Sequence, residues 1–246
     1  MRSCSICRML QVVPGTVDDY KALSHYHYRD SGLGPYVCIF ALRPDDRYCW
    51  RIKVKTVGVI VYAMPVIGSE LRNIATGDMF TGLDRETRLA LINKNIRCIG
   101  RVIIEPRFRS LGLASRLVRE TLPMLDVPVI EAMAVMGMVN PFFEKAGMKP
   151  FTAPPPARCV RLIEAMDLVG IEERRLIDAD FVHRKIGRLP KQNADFIESE
   201  IKLFLQSYGK RRFMSPGMER TRYVLTKLTD RPVYYIWLNE NLKLKM

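Results

Sequence analysis

The sequence predicts a mixed α/β (α+β) fold, and three observations carry that prediction. Apolar runs of strand length recur at Val57–Met64, Cys98–Ile104 and Val127–Val135, dense enough for strands covered on both faces. Between them, Asp84 to Asn93 and Gly112 to Met124 place apolar residues three and four apart, as helices with one buried face do. Hydrophobic residues make up 48% and charged residues 26% of the 246, a balance that allows a substantial core and argues against disorder. Residues 1–165 read as one domain. Residues 166–246 read as a C-terminal extension of helices followed by a hairpin, packed on that domain.

In chain order, Thr16 followed by Asp18 and Asp19 offers an N-cap and an acidic first turn, opening a helix to about Tyr28. Gly32, Gly34 and Pro35 break the chain, and Tyr36 to Leu42 reads as a strand. Arg43–Asp46 is a turn, and strands are expected from about Tyr48 to Val54 and from Val57 to Met64. Pro65 to Gly82, with three glycines and little periodicity, reads as a loop with some short structure. Asp84 caps the next helix. The strand Cys98–Ile104 ends at Pro106, which holds Glu105 extended. Leu113, Leu117 and Met124 give the following helix its buried face. Asn140-Pro141 reads as an asparagine cap with proline at the first helical position, and Gly147 stops that helix. Pro154 to Pro156 stiffens a linker, and Cys159 to Ile163 reads as a strand. Glu172 to Arg184 and Gln192 to Tyr208 read as amphipathic helices. Tyr223 to Leu228 and Val233 to Leu238 read as two strands joined at Thr229–Pro232.

No window approaches the ~20 apolar residues of a membrane span, and the N-terminal stretch has no signal-peptide pattern. The six cysteines lie mostly in apolar runs, as free thiols do, so a cytoplasmic protein is expected. Lys and Arg total 39 against 26 Asp and Glu, a formal charge of +13 that favours phosphate-bearing partners. The surplus is spread along the chain, but its densest block, Arg97 to Arg119, holds six arginines and one acid.

That block is the centre of the stretch Cys98–Met148, which reads as strand, turn, helix, strand, short helix. Between Ile104 and the helix lie Arg107-Phe108-Arg109-Ser110-Leu111-Gly112-Leu113-Ala114. Small residues at the helix entrance let a ligand approach the backbone, and the free N–H groups there suit a pyrophosphate. Arg109 adds a charge for it.

The Arg109–Ala114 turn, with Val102-Ile103-Ile104-Glu105-Pro106 before it and NPFFEKAGM (Asn140–Met148) after it, resembles the core of the GNAT superfamily of N-acetyltransferases. It is most similar to acetyltransferase domains fused to prokaryotic ABC-type ATPases, although this chain has no Walker A motif. The resemblance covers about Val17 to Ile163. It implies a GNAT fold with a splayed central mixed sheet flanked by helices, and acetyl-CoA as co-substrate in the opening of the splay. Val102, Ile103 and Ile104 would line the pantetheine arm. Arg109, Ser110, Leu111, Gly112, Leu113 and Ala114 would bind the pyrophosphate, with Asn140 and Phe143 beside the arm. The His25-Tyr26-His27-Tyr28 run would wall the acceptor pocket. The implied chemistry is attack of an amine on the thioester, which calls for a base and an acid.

Glu131 falls where a catalytic glutamate is carried in ribosomal-protein acetyltransferases of that superfamily, and a carboxylate in VPVIEAMAV is costly to bury without a task or a partner. Pairing with an arginine, or a solvent-facing position, explains it equally well. Glu105 is the second candidate base. The tyrosine that commonly protonates the thiolate corresponds to Phe143, so Tyr26, Tyr28, Tyr62 or water would take that role, or the protein would be a CoA-binding regulator without turnover.

Two further constellations stand outside that scheme. Cys4, Cys7, His25 and His27 have the residue types of a zinc site but not a recognised spacing, so no metal is expected. Tyr223, Tyr234, Tyr235 and Trp237, with Arg220, Arg222 and Lys227, either stack and neutralise nucleic acid or form the apolar face of a sheet edge. A nucleic-acid-binding or nucleic-acid-modifying protein on the same fold is therefore the alternative to an N-acetyltransferase.

Overall fold

A computed structural model describes residues 5–27, 32–135, 137, 140–229 and 232–242. The chain divides into two compact units, residues 1–152 with 232–246, and residues 153–231. The expected boundary at 165/166 falls inside the helix Ala157–Leu168, whose buried residues belong to the second unit's core, and the last strand returns to the first unit's sheet.

The first unit contains α1 (Ser5–Arg8), β1 (Leu10–Pro14), α2 (Val17–Ser24), β2 (Cys38–Pro44), β3 (Gly58–Ala63), α3 (Glu70–Thr76) and α4 (Arg85–Asn95). It continues with β4 (Ile96–Ile104), α5 (Leu113–Thr121), β5 (Val129–Ala134), α6 (Phe142–Lys145) and β6 (Lys149–Phe151), and closes with β7 (Val233–Leu238). The strands form one seven-stranded sheet in the order β1-β2-β3-β4-β5-β7-β6. All neighbours are antiparallel except β4 and β5, which run parallel on either side of α5.

Helices cover both faces. Ile60, Tyr62, Ile99, Ile104, Ile130 and Ala132 pack with Leu113, Leu117 and Val118 of α5 and with Phe143. On the other face, Val59, Val61 and Ile103 pack with Tyr20 and Leu23 of α2. There too, Ile96, Val129, Tyr234 and Ile236 pack with Ile92 of α4. The alternation along β4 is broken once. Val61 pairs with Arg101 and Tyr62 with Ile99, so Gly100 is an extra, unpaired residue. Such a bulge shifts the side-chain parity of everything after it. Val102 and Ile104 therefore share the α5 face with Ile99, while Ile103 shares the α2 face with Val59.

The second unit is helical: α7 (Ala157–Leu168), α8 (Ala179–Ile186), α9 (Lys191–Leu205) and α10 (Met218–Thr229). It has its own core, in which Leu162, Met166, Ile197, Ile201, Phe204, Val224 and Leu228 are buried together. Two expected strands are helices here. Cys159, Leu162, Ala165 and Met166 are the buried residues of α7, a helical spacing that Cys159–Ile163 alone is too short to display. Arg220, Val224 and Leu228 of α10 are buried at intervals of four, so Tyr223–Leu228 is no strand, and the expected hairpin does not form. Val233–Leu238 lies instead between β5 and β6. Glu172–Arg184 is a 3-10 turn followed by α8, and Tyr48–Val54 is a 3-10 turn and an irregular segment.

The α2 helix is fixed to the sheet through Asp19. Its carboxylate completes a capping box with Thr16, takes two bonds from Arg43 of β2 (2.5 and 3.1 Å) and one from Thr56 (2.6 Å). Burial alone would raise the pKa of this carboxyl, but the bonds from Arg43, Thr56 and Thr16 outweigh that and hold it at about 2, against an ordinary 3.8. A depressed folded-state value stabilises the fold above pH ~4, and that contribution is lost as the pH falls toward 2. The expected size is about 2 kcal/mol. Urea unfolding at pH 5 and pH 2.5 should show a smaller loss for Asp19→Asn than for the parent; equal losses would contradict this assignment.

Candidate functional site

The turn after β4 is built by its own side chains. The Glu105 amide donates to Val57 O (2.9 Å). The Glu105 carboxylate accepts the Arg107 amide (3.0 Å) and Arg107 Nε (2.6 Å), capping the 3-10 turn Pro106–Phe108. Glu105, a candidate base, is thus a buried cap in this structure. Ser110 and Gly112 then both take left-handed conformations, with φ of 64° and 74°. Glycine does so freely, whereas a residue with a Cβ is strained there.

No side chain caps α5, and its first amide with an acceptor among the described residues is that of Arg116, to Gly112 O at 3.1 Å. The amides of Leu113, Ala114 and Ser115 are the helix's orphan donors, preceded by a turn with two left-handed residues. Free amides at the start of a helix carry partial positive charge and suit an anion. Leu111 is half-buried and Leu113 is in the core. The Arg109 guanidinium is engaged locally, donating to Ile104 O (3.1 Å) and Tyr26 O (3.4 Å). It braces the turn against the end of α2.

Beside this turn the two central strands part. β4 pairs with β5 over Ile96–Ile99 and Val129–Ala132, and β4 continues alone on that edge to Ile104. The parting begins at the Gly100 bulge. Val102 and Ile104 lie on the α5 side of the unpaired segment and Ile103 on the other.

Glu131 lies on the paired half, opposite Cys98. Its two oxygens accept Arg72 Nε and Nη2, both at 2.7 Å, and the Tyr234 hydroxyl also donates to it at 2.7 Å. The Arg72 and Glu131 side chains are 1% and 5% exposed, so this is a buried, fully bonded ion pair. Burial works against the Arg72 charge, but the Glu131 bond and charge prevail and raise its proton affinity. Burial, reinforced by Glu131, pushes the Tyr234 phenol up. The Cys98 thiol is pushed up to about 12, by burial first and then by Glu131, which leaves no thiolate there near neutral pH. The arginine-paired reading of Glu131 is the one this geometry displays.

Of the other candidates, Phe143 is buried against the tilted rings of Phe142 and Tyr235, with centroids 4.2 and 5.1 Å away. Asn140 is exposed and does not cap α6; Pro141 holds the cap position without a side-chain bond. The Tyr62 hydroxyl is buried against Thr121 Oγ1 at 2.7 Å, and burial pushes its pKa up. Tyr235 is likewise buried, bonded to Glu144 (3.2 Å) and pushed up to about 12 by burial and that carboxylate. His25 and Tyr26 are exposed, with ring centroids 3.9 Å apart and planes tilted at 45°, and His27 is half-buried. Arg109 brings this run against the turn. Tyr28 and Cys4 lie outside the described residues. Among those described, no three His, Cys, Asp or Glu side chains form a metal-ligating group.

No protein-family model matches this sequence, and no curated protein matches it either. What the chain can do rests on its own geometry.

Sequence reasoning missed Arg72, and placed Tyr234 in an aromatic hairpin rather than on Glu131. The helix holding Arg72 had signals, Ser69 as N-cap and Gly77 at the left-handed C-terminal position (φ 61°). Nothing in the sequence pairs Arg72 with a glutamate 59 residues away. If the pair is structural, Glu131→Leu alone strands a buried cation and should cost about 3–5 kcal/mol, while Arg72→Met with Glu131→Leu should recover most of it. Urea midpoints of the single and double variants measure this; an additive double variant would contradict a coupled pair.

Proposed function

We propose that the first unit binds acetyl-CoA in a GNAT-type arrangement and transfers the acetyl group to an amine. One observation carries the reading: β4 leaves β5 at the Gly100 bulge and leads, through an unpaired edge, directly into the uncapped entrance of α5. An open strand edge suits the amide-bearing pantetheine arm, and the orphan amides of Leu113–Ser115 suit a pyrophosphate. When bound, acetyl-CoA supplies a thioester whose acyl carbon an amine attacks.

The chain's residues divide the remaining tasks unequally. Ser110 and Gly112 shape the turn, Arg109 braces it, and Val102 and Ile104 give the arm an apolar side. The proton steps fall to solvent or to the exposed end of α2. Glu131 is held by Arg72 and Tyr234, Glu105 caps a turn, Tyr62 is bonded to Thr121, and Phe143 has no proton to give. The transfer is therefore expected to need an acceptor presented as a free amine, with a rate that rises with pH as the acceptor loses its own proton.

Calorimetry with acetyl-CoA should show one site. Gly112→Val should weaken binding at least tenfold, by loading the φ 74° position and filling the approach to the amides, at a stability cost of about 1–2 kcal/mol. No heat with either acetyl-CoA or CoA would sink the proposal. Binding without release of free CoA thiol across a panel of primary amines would reduce the protein to a CoA-responsive regulator.

A further inference from the structure

The helical unit, residues 153–231, carries side chains that acetyl transfer leaves unused. Most of its arginine–carboxylate bonds serve its own packing. Glu200 accepts both bonds of Arg161 (2.6 and 2.7 Å), and Glu198 accepts both of Arg220 (2.9 and 2.5 Å). Around two tyrosines the balance is reversed.

Tyr208, which follows α9, and Tyr223 of α10 meet edge to face with centroids 5.9 Å apart. Arg158 lies 5.7 Å from the Tyr208 ring. Arg211 and Lys227 lie 5.4 and 5.9 Å from the Tyr223 ring. The 3-10 turn Gly209–Phe213 adds Lys210 and Arg212, with Arg212 4.5 Å over Phe213. Among the described residues, Arg158, Lys210, Arg212 and Lys227 have no carboxylate partner, and Arg211 has only Glu219, 3.5 Å away and 84% exposed. Cations gathered on shared rings repel one another, and the charge is relieved when an anion with several phosphates lies across them. Phe213 stands 73% exposed among these charges.

We propose that this surface binds single-stranded nucleic acid. The cations follow the phosphates, and Phe213, with the arginine planes, receives unstacked bases. A duplex keeps its bases stacked and has no face to give a phenyl ring. A lipid surface would call for an apolar face, whereas this surface offers one exposed ring, Phe213, and five cations, three of them on the Gly209–Phe213 turn. Of the expected hairpin, Tyr223 and Lys227 belong to this surface, whereas Tyr234 and Tyr235 are buried in the sheet. The inference is independent of acetyl-CoA binding, since every residue it uses lies in the helical unit.

The test is fluorescence anisotropy of the full chain with a labelled 20-nucleotide oligouridylate. Binding should weaken with salt at a log–log slope of about −3.5, from about −0.7 for each phosphate neutralised by the five cations. Phe213→Ala should weaken binding by roughly 5- to 100-fold with the slope unchanged, because stacking is not ionic. Arg212→Ala with Lys210→Ala should weaken it and flatten the slope by about 1.4. All three side chains are exposed, so thermal melts should match the parent. Four outcomes overturn the proposal: no binding in 50 mM salt, variants that bind as the parent does, equal affinity for a duplex of the same length, or capture by phosphatidylserine vesicles but not by the oligonucleotide.

Discussion

The first unit depends on one extra residue in its central strand. With Gly100 unpaired, β4 changes parity: Ile99 before the bulge and Val102 and Ile104 after it face the same core, and Ile103 turns to the other. At the same point β4 loses β5 as a neighbour. A bulge bends and twists its strand, which accounts for both effects together. The strand then delivers its end, Ile104–Glu105, to the turn that opens α5. Opening, turn and helix entrance are consecutive consequences of a local irregularity.

Such an opening needs a firm boundary, and the buried ion pair lies there. Glu131 stands opposite Cys98, within the last paired residues, and is held by Arg72 from α3 and Tyr234 from β7. Three segments distant in sequence thus meet at one carboxylate. Its satisfaction by three bonds meets the cost of burying charge, which an apolar strand position would otherwise not allow. A glutamate in an apolar strand is a good marker of an important position, and in this fold the position is a structural junction beside the opening. The two tasks share one sequence signature because both require a carboxylate where solvent is excluded.

The helical unit stands between β6 and β7 in the sequence rather than after the last strand. β7 closes the sheet between β5 and β6, so the final residues belong to the same fold as the first. The unit has a separate apolar core and separate ion pairs, and Arg158, Arg211 and Lys227 gather on rings of its own. Two basic surfaces of different character result. One is made of backbone amides shaped by Ser110 and Gly112, the other of guanidinium and ammonium groups on aromatic side chains.

The sequence by itself determined the parts whose cause is local. The apolar runs gave β3, β4 and β5, Asp84 gave the start of α4, and the small residues Gly112 and Ala114 marked the entrance of α5, because propensity and caps act within a few residues. It also suggested strands at Cys159–Ile163 and Tyr223–Leu228, where β-branched and aromatic residues mask helical spacing that only a longer window reveals. Tertiary structure alone decided where β7 pairs, that Arg72 meets Glu131, and that Arg158, Tyr208 and Tyr223 share one cluster. These are pairings between segments tens of residues apart. Their selection rests on which buried groups must be satisfied together, and no short stretch of sequence contains that information.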